Sequence, residues 1–176
     1  MTADDVLHFW FQQCRPWQWF RRRDSFDALV RNRFAVLVEK ALAGELDAWA
    51  DYPTGGLALV LLLDQFSRQI WRGEARAFAG DRQAQQLSQE ALQRGWVQDE
   101  AERARRQFWL MPLLHSEEEE TVAQAIPLLE RWVDAATAEV ARRNLMLLRR
   151  FGRYPRRNAA LGRISSSVEI ACSSLV

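Results

Sequence analysis

Three short polar segments hold the side chains that could do chemistry. The first is DQFSR, residues 64–68, which directly follows the apolar run LALVLLL. Asp64 and Arg68 are four residues apart, so on a helix they share one face. A carboxylate that follows so apolar a run is expected to be at least partly buried, and a buried charge needs a partner. The spacing predicts either a pocket lined by a carboxylate and a guanidinium or a structural ion pair.

The second segment is HSEEEE, residues 115–120, which contains one of the two histidines. His115 beside Glu117 could act as a general acid–base pair. Alternatively, Ser116 and Glu119 form a capping box, and the acids are a solvated first turn of a helix. A metal site is not predicted, because no second histidine lies nearby and no cysteine cluster exists. A Ser–His hydrolase is disfavoured because G-x-S-x-G is absent.

The third segment is RFGRYPRRN, residues 150–158. Arg150, Arg153 and Arg157 could form a bidentate clamp for a phosphate or a carboxylate. Alternatively, they satisfy helix C-terminal carbonyls and the acids upstream.

The distribution of charge favours inward pairing of these arginines. The chain has a formal charge of only +1. Residues 115–139 contain seven acids and one arginine, whereas residues 140–176 contain eight arginines and one glutamate. An acidic segment beside a basic one competes for its guanidiniums, so binding of nucleic acid is not predicted.

The composition is that of a globular protein with a substantial core: 176 residues, 48% hydrophobic and 27% charged. Cys14 and Cys172 form no metal-ligand spacing and no disulfide framework, which favours a reduced, cytoplasmic setting. The acids in MTADD are not typical of an export signal. LALVLLL is too short to cross a bilayer, which needs ~20 residues, so no membrane association is expected.

Apolar residues recur at helical spacing along the chain, and no segment alternates with a period of two. The pattern predicts an all-α domain over residues 1–176, with about eight helices joined by short loops. The main predicted helices cover residues 2–15, 24–43, 57–73, 79–95, 100–111, 115–136 and 138–152, with a short one at 165–175.

Prolines set several of the expected boundaries. Pro16 should end the first helix, the fifth long helix should end before Pro112, and Pro127 should kink or split the next one. The segment YPTGG, residues 52–56, is expected to be a loop.

The segment RPWQWFRRRD, residues 15–24, is expected to be a loop rich in aromatic side chains and arginine. It could be a membrane-surface patch, but it has no helical apolar face of useful length. Packing of Trp17, Trp19 and Phe20 on the core, with arginines stacked on them, is therefore the favoured interpretation.

Taken in order, several motifs resemble those of a known bacterial family. They are VLHFWF, GELDAWA, LALVLLLDQFSRQIWRG with AFAGD, FWLMPLLHSE and RFGRYPRRNAALGR. The chain resembles the family called domain of unknown function 924 from about Val6 to Glu169. The resemblance implies an all-α, TPR-like antiparallel helical array and no established reaction. Two histidines usual in this family are replaced here, by Asn144 and Arg156.

A site shared with the family would have to rest on residues of the three polar segments. These are Asp64, Gln65, Arg68, His115, Ser116, Glu117, Arg150, Arg153, Arg157 and Asn158.

The main functional hypothesis is that these segments meet around a polar cleft that binds an anionic small molecule or an acidic peptide. One alternative is a hydrolase or transferase for an anionic substrate, with His115 and either Asp64 or Glu117 as acid and base. Another is a buried structural network in a protein with a protein–protein interaction role. No cofactor is predicted, and the sequence gives no oligomeric state.

Overall fold

The N-terminal helix begins as the sequence predicts. The computed structural model describes the backbone of residues 1–173 and the side chains of residues 1–171. Helix α1 (Ala3–His8) starts with a capping box between Thr2 and Asp5. A π-helical turn (Phe9–Gln13) continues it. The buried rings of Phe9 and Trp10 on this turn pack against Phe66 and other aromatic side chains of the core.

The segment after Pro16 is helical rather than a loop. Pro16 opens the short helix α2 (Pro16–Phe20), since the first helical position does not need an N–H donor. Trp19 packs on the core as expected. The expectation was wrong for Trp17 and Phe20, which are 51% and 58% exposed.

The central helix is buried almost all round, as its leucines predict. After α3 (Asp24–Leu42) and a 3₁₀ turn (Asp47–Asp51), the chain enters α4 (Pro53–Val60). It continues through a π-helical turn (Leu61–Phe66) into α5 (Ser67–Ile70). The YPTGG expectation was wrong, because Pro53 begins α4 and both glycines lie inside it.

A second group of helices packs over this central one. A 3₁₀ turn (Ala75–Phe78) leads into α6 (Asp81–Gln93), followed by α7 (Trp96–Asp99) and α8 (Arg103–His115). The predicted end before Pro112 was wrong: α8 runs through the proline to His115. Burial of Leu113 and Leu114 on the following turn supports this continuation, since tertiary packing can outweigh the cost of proline.

The C-terminal helices complete the array. They are α9 (Glu119–Trp132), α10 (Ala135–Phe151), a 3₁₀ turn (Pro155–Arg157) and α11 (Ser167–Ser173). Helix α9 packs against both α8 and α10. It is not split at Pro127, although the proline lies inside it. The predicted terminal helix is present within residues 167–173, and its expected extension to residue 175 lies outside the described residues.

The fold is all-α over the described residues, as the periodicity predicts, and residues 1–173 contain no strand. The helices outnumber the predicted eight because short helices such as α2 and α7 were not expected. One continuous hydrophobic cluster runs from Ala3 to Tyr154. None of the described helices is long and apolar enough to span a bilayer.

Candidate functional site

A buried aspartate and a histidine form the centre of the candidate site. Asp64 lies on the π-helical turn after α4 and is fully buried. His115 is the last residue of α8, not the first of the next helix as the sequence predicted. Its Nδ1 lies 2.8 Å from Asp64 Oδ1 and 3.1 Å from Oδ2. Gln65 Nε2 donates to Oδ2 at 2.5 Å.

The same aspartate is paired with an arginine one turn later. Arg68 Nη1 lies 3.0 Å from Asp64 Oδ1, as the four-residue spacing predicts. Arg68 Nη2 also donates to Asp81 Oδ2 at 2.9 Å. Asp81 in turn accepts from Arg157 at 3.2 Å, and Arg157 also donates to the carbonyl oxygen of His115 at 2.7 Å. The result is a chain of alternating charges that joins all three polar segments.

The environment fixes the charge of each partner. Burial alone would raise the pKa of Asp64, but Arg68 and His115 outweigh it and hold that pKa well below its usual range. Burial lowers the pKa of His115, and Arg68 adds to this, while Asp64 offsets only part of it. At neutral pH the imidazole is therefore neutral, and the Asp64 carboxylate requires its proton to be on Nδ1. Nε2 is left as an acceptor.

Glu117 does not face His115 as a catalytic partner but anchors the basic segment. It forms a bidentate pair with Arg163, at 2.8 and 2.9 Å, and accepts from the backbone N–H of Tyr154 at 2.7 Å. Burial opposes its charge, yet these hydrogen bonds lower the pKa of Glu117. Asn158 supports the pair by accepting from Arg163 Nε at 3.0 Å.

The predicted capping box at the start of α9 does not form. Ser116 is buried, and its hydroxyl accepts from the backbone N–H of Glu118. Glu118, not Ser116, is the N-cap residue of α9, and Glu119 is its first residue. Ser116 therefore closes the turn between α8 and α9.

The three arginines of the predicted clamp interact with different side chains. Arg153 forms a bidentate pair with Glu169, at 2.8 and 3.0 Å. Arg157 interacts with Asp81, as described above, and its guanidinium lies 4.7 Å from the ring centroid of Phe78 and 5.0 Å from that of Tyr154. Arg150 is exposed and lies over Phe151. These three guanidiniums therefore do not point to a common anion-binding site.

A cleft of about 440 Å³ opens beside His115. Its apolar wall includes Phe20 and Met111, and its polar groups include Asn144 and Arg156. The residues that line it are Phe20, Gln107, Met111, Leu114, His115, Asp134, Ala136, Thr137, Val140, Asn144 and Arg156. The His115 side chain is 15% exposed, and none of the described residues hydrogen bonds to its Nε2. This nitrogen is therefore available to a molecule in the cleft.

Arg156 and Asn144 differ in how they are held. Arg156 is exposed, stacks on the Tyr154 ring at 4.8 Å and has no carboxylate partner among the described residues. Asn144 is buried and donates to the carbonyl oxygen of Leu114 at 2.8 Å. The family resemblance implies histidine at both positions, and both line the cleft with His115.

Sequence reasoning missed five residues of this region: Asp81, Tyr154, Arg163, Asn144 and Arg156. Asp81 lies in AFAGD and Arg163 at the end of NAALGR, which are both parts of the motifs that carry the family resemblance. Arg156 and Asn144 were noted only as departures from the family pattern. Among the described side chains, no three His, Cys, Asp or Glu residues are grouped so that they could hold a metal.

Comparisons with known proteins agree with this architecture. The family model described as "Bacterial protein of unknown function (DUF924)" matches residues 6–172. The chain belongs to the DUF924 family. It is also similar to the solved structure of a protein of unknown function, ATU0120, from Agrobacterium tumefaciens, with 32% identity and a TM-score of 0.91. That match covers 99% of this chain and 97% of the other. No curated protein sequence matches this member of the family.

Proposed function

We propose that this DUF924 protein binds an anionic small molecule in the cleft beside His115. The observation that carries the proposal is Arg156, a cation on the cleft wall without a carboxylate partner among the described residues. In the same basic stretch, Arg149, Arg153, Arg157 and Arg163 all have carboxylate partners. A guanidinium left without an anion in a concave site is suited to a carboxylate or a phosphate.

The other walls indicate the form of the ligand. A cleft of about 440 Å³ is in the range of small-molecule sites and is small for a folded peptide segment. Phe20, Met111 and Val140 supply apolar surface, while His115 Nε2 offers an acceptor to a hydroxyl or an N–H group of the ligand. The ligand that fits is an anion with an apolar body and a hydrogen-bond donor. Binding of an acidic peptide is the other outcome of the test below.

The test is a thermal-shift and calorimetric panel of aliphatic and aryl carboxylates, alkyl phosphates, inorganic phosphate and a short polyglutamate. A ligand at 100 times its Kd stabilises the fold by about 2.7 kcal/mol, which raises Tm by roughly 5–10 °C for a chain of this size. Arg156→Gln should weaken the binding by about 10- to 100-fold, since one hydrogen bond to a charged group contributes about 1.5–3 kcal/mol.

Arg150→Gln is the matched control. Arg150 is also exposed and lacks a carboxylate partner among the described residues, but it lines a different concavity with Arg153 and Glu169. The control should bind as wild type does. Equal losses in the two variants, or no shift with any compound, would refute the proposal and favour a structural network with a protein–protein interaction role.

The Asp64–His115 pair favours a second candidate function, that of a hydrolase or transferase for the same anionic ligand. A carboxylate that fixes Nδ1–H leaves Nε2 as a general base toward the cleft. The base would take a proton from water or a substrate hydroxyl as that oxygen attacks the ester carbon or phosphorus, and the protonated Nε2 would return the proton to the alcohol oxygen that leaves as its ester bond breaks. His115→Gln should abolish turnover of carboxylic and phosphoric esters; turnover that survives this change would contradict the role of His115.

Two further predictions accompany this proposal. The helices are expected to stack in a TPR-like manner, and the protein is expected to be cytoplasmic. Fractionation of cells that express the protein from its own promoter tests its location.

A further inference from the structure

The short helix α2 presents two large aromatic side chains to solvent. Trp17 and Phe20 are three residues apart on this helix, so they project from neighbouring positions of its surface. They are 51% and 58% exposed. Exposed aromatic residues grouped in this way are typical of interaction sites rather than of ordinary surface.

The helix is held firmly enough to present them. Between them, Trp19 points inward: its Nε1 donates to the carbonyl oxygen of Trp10 at 3.0 Å, and its ring packs edge-on against Phe108 at 5.1 Å. The ring of Phe20 is nearly parallel to that of Phe108, with the ring centroids 6.0 Å apart and an interplanar angle of 12°. Trp19 therefore attaches α2 to the core, while much of the surface of Trp17 and Phe20 remains exposed to solvent.

Four arginines flank α2 in the sequence. Arg15 precedes α2, and Arg21, Arg22 and Arg23 follow it without interruption. All four are exposed. The one acid close in sequence, Asp24, lies 3.9 Å from Arg22 with both side chains largely in water, so it neutralises the group poorly. Residues 15–23, which we call the basic aromatic segment, thus combine a net positive charge with exposed apolar surface.

Positive charge and exposed aromatic surface occur together around Trp17. Trp17, Arg21, Arg22 and Arg23 line one open concavity of about 670 Å³. Arg23 also lies over the Trp17 ring, 5.4 Å from its centroid. Guanidiniums beside an indole match the boundary of a phospholipid layer, where phosphates lie just outside the acyl chains.

We propose that the basic aromatic segment binds the surface of an anionic phospholipid bilayer. Trp17 and Phe20 insert at the level of the headgroups, and the arginines contact lipid phosphates. The segment carries both an apolar and an electrostatic contribution, the combination that stable peripheral binding requires. The sequence alone disfavoured this interpretation because the segment has no helical apolar face of useful length, and packing of Trp17 and Phe20 on the core was favoured instead. Phe20 also lines the cleft beside His115, whereas Trp17 and the three arginines after α2 do not, so the test below uses those four residues.

A single-stranded nucleic acid fits the segment less well. Such ligands need aromatic faces for successive bases along a positively charged groove of several nucleotides. Here one face of Trp17 is covered by Arg23 and one face of Phe20 by Phe108. The arginines are confined to nine residues of sequence and do not extend along a groove.

The test is co-sedimentation of the whole protein with vesicles of phosphatidylcholine alone or mixed equally with phosphatidylglycerol, at low and physiological salt. Binding should require the anionic lipid and weaken with salt. Arg21→Gln/Arg22→Gln/Arg23→Gln should weaken it by about 100-fold, since each arginine near such a surface contributes about 1 kcal/mol, or about fivefold. Trp17→Ala should weaken it without changing the charge. Circular dichroism should show native helix content in both variants.

Arg82→Gln/Arg131→Gln/Arg143→Gln is the control, because it removes the same charge from exposed positions elsewhere. It should bind vesicles within a few-fold of wild type. Equal losses in the two triple variants, or no binding to anionic vesicles at low salt, would overturn the proposal. Tighter binding to a single-stranded oligonucleotide than to vesicles would assign the segment to nucleic acid. Inhibition by millimolar inorganic phosphate alone would assign it to a free anion.

Discussion

Replacement of Asp64 by asparagine tests the centre of the polar network. The carboxylate is fully buried and interacts with Arg68 at 3.0 Å and His115 at 2.8 Å. Loss of one partner of a buried ion pair costs about 3–5 kcal/mol because the other charge remains buried. Arg68 would keep Asp81, at 2.9 Å, so we expect a loss near the lower end, about 3 kcal/mol.

Urea unfolding at pH 7 measures this loss. With a slope of about 2 kcal/mol per M, Asp64→Asn should lower the midpoint by roughly 1.5 M. Asp24→Asn is the control, because its side chain is 93% exposed and its ion pair is 3.9 Å long, so a change within about 0.5 kcal/mol is expected. A midpoint for Asp64→Asn within 0.3 M of wild type would refute the assignment of a buried, charged network.

Two further predictions follow from the same region. Burial, aided by Arg68, lowers the pKa of His115, so the unfolded chain takes up a proton at a higher pH than the folded protein does. The free energy of unfolding should therefore fall as the pH drops below about 6.5, by at most about 1.4 kcal/mol per pH unit. His115→Gln should remove this slope, and an unchanged pH profile of unfolding in the variant would contradict the assignment. Gly80→Ala would place Cβ 2.7 Å from the carbonyl oxygen of Leu63 and should cost about 1–3 kcal/mol in thermal or urea unfolding, whereas wild-type stability would show that this contact is not tight.

The lowered pKa of Asp64 acts in the same direction but in a more acidic range. Its carboxylate stabilises the fold above the unfolded pKa of about 3.9, and this contribution is lost as the pH falls from there through the lower folded pKa. The loss of stability that begins as the pH falls below about 6.5 is therefore attributed to His115, and the further loss that begins near pH ~3.9 is attributed to Asp64.

The parts of the fold that were predicted depend on local periodicity. The leucines of residues 57–63 predict a helix buried on most sides, and Gly44 and Gly152 predict helix ends, where both adopt positive φ values of 78° and 68°. The Asp64–Arg68 pair follows from helical spacing alone. These features require only information from residues close in sequence.

The errors arose where tertiary packing decides. Pro112 was expected to end a helix, but burial of the next turn keeps it helical and makes His115 the end of α8. Trp17 and Phe20 were expected to pack on the core, yet both are exposed, and the partly buried Trp19 is the aromatic residue of this helix that packs against the core. Composition does not show which of several neighbouring aromatic side chains packs on the core.

The partners of the candidate site were the least predictable part. Asp81 lies 17 residues from Asp64 in sequence and pairs with Arg157, 76 residues further on. Charge counting predicts that the acidic and basic segments interact, but it does not say which pairs form. For the same reason, it could not identify Arg156 as the arginine left beside the cleft.

The most direct measurement of the central claim is nitrogen-edited NMR of the histidine side chains during titration with the tightest compound of the anion panel. The protein has two histidines, His8 and His115, so each signal can be assigned with one substitution. We predict that the His115 Nε2 resonance shifts on saturation while His8 does not, and that Arg156→Gln moves the titration to about 10- to 100-fold higher concentration. A His115 signal that stays constant as the protein saturates would contradict binding in this cleft.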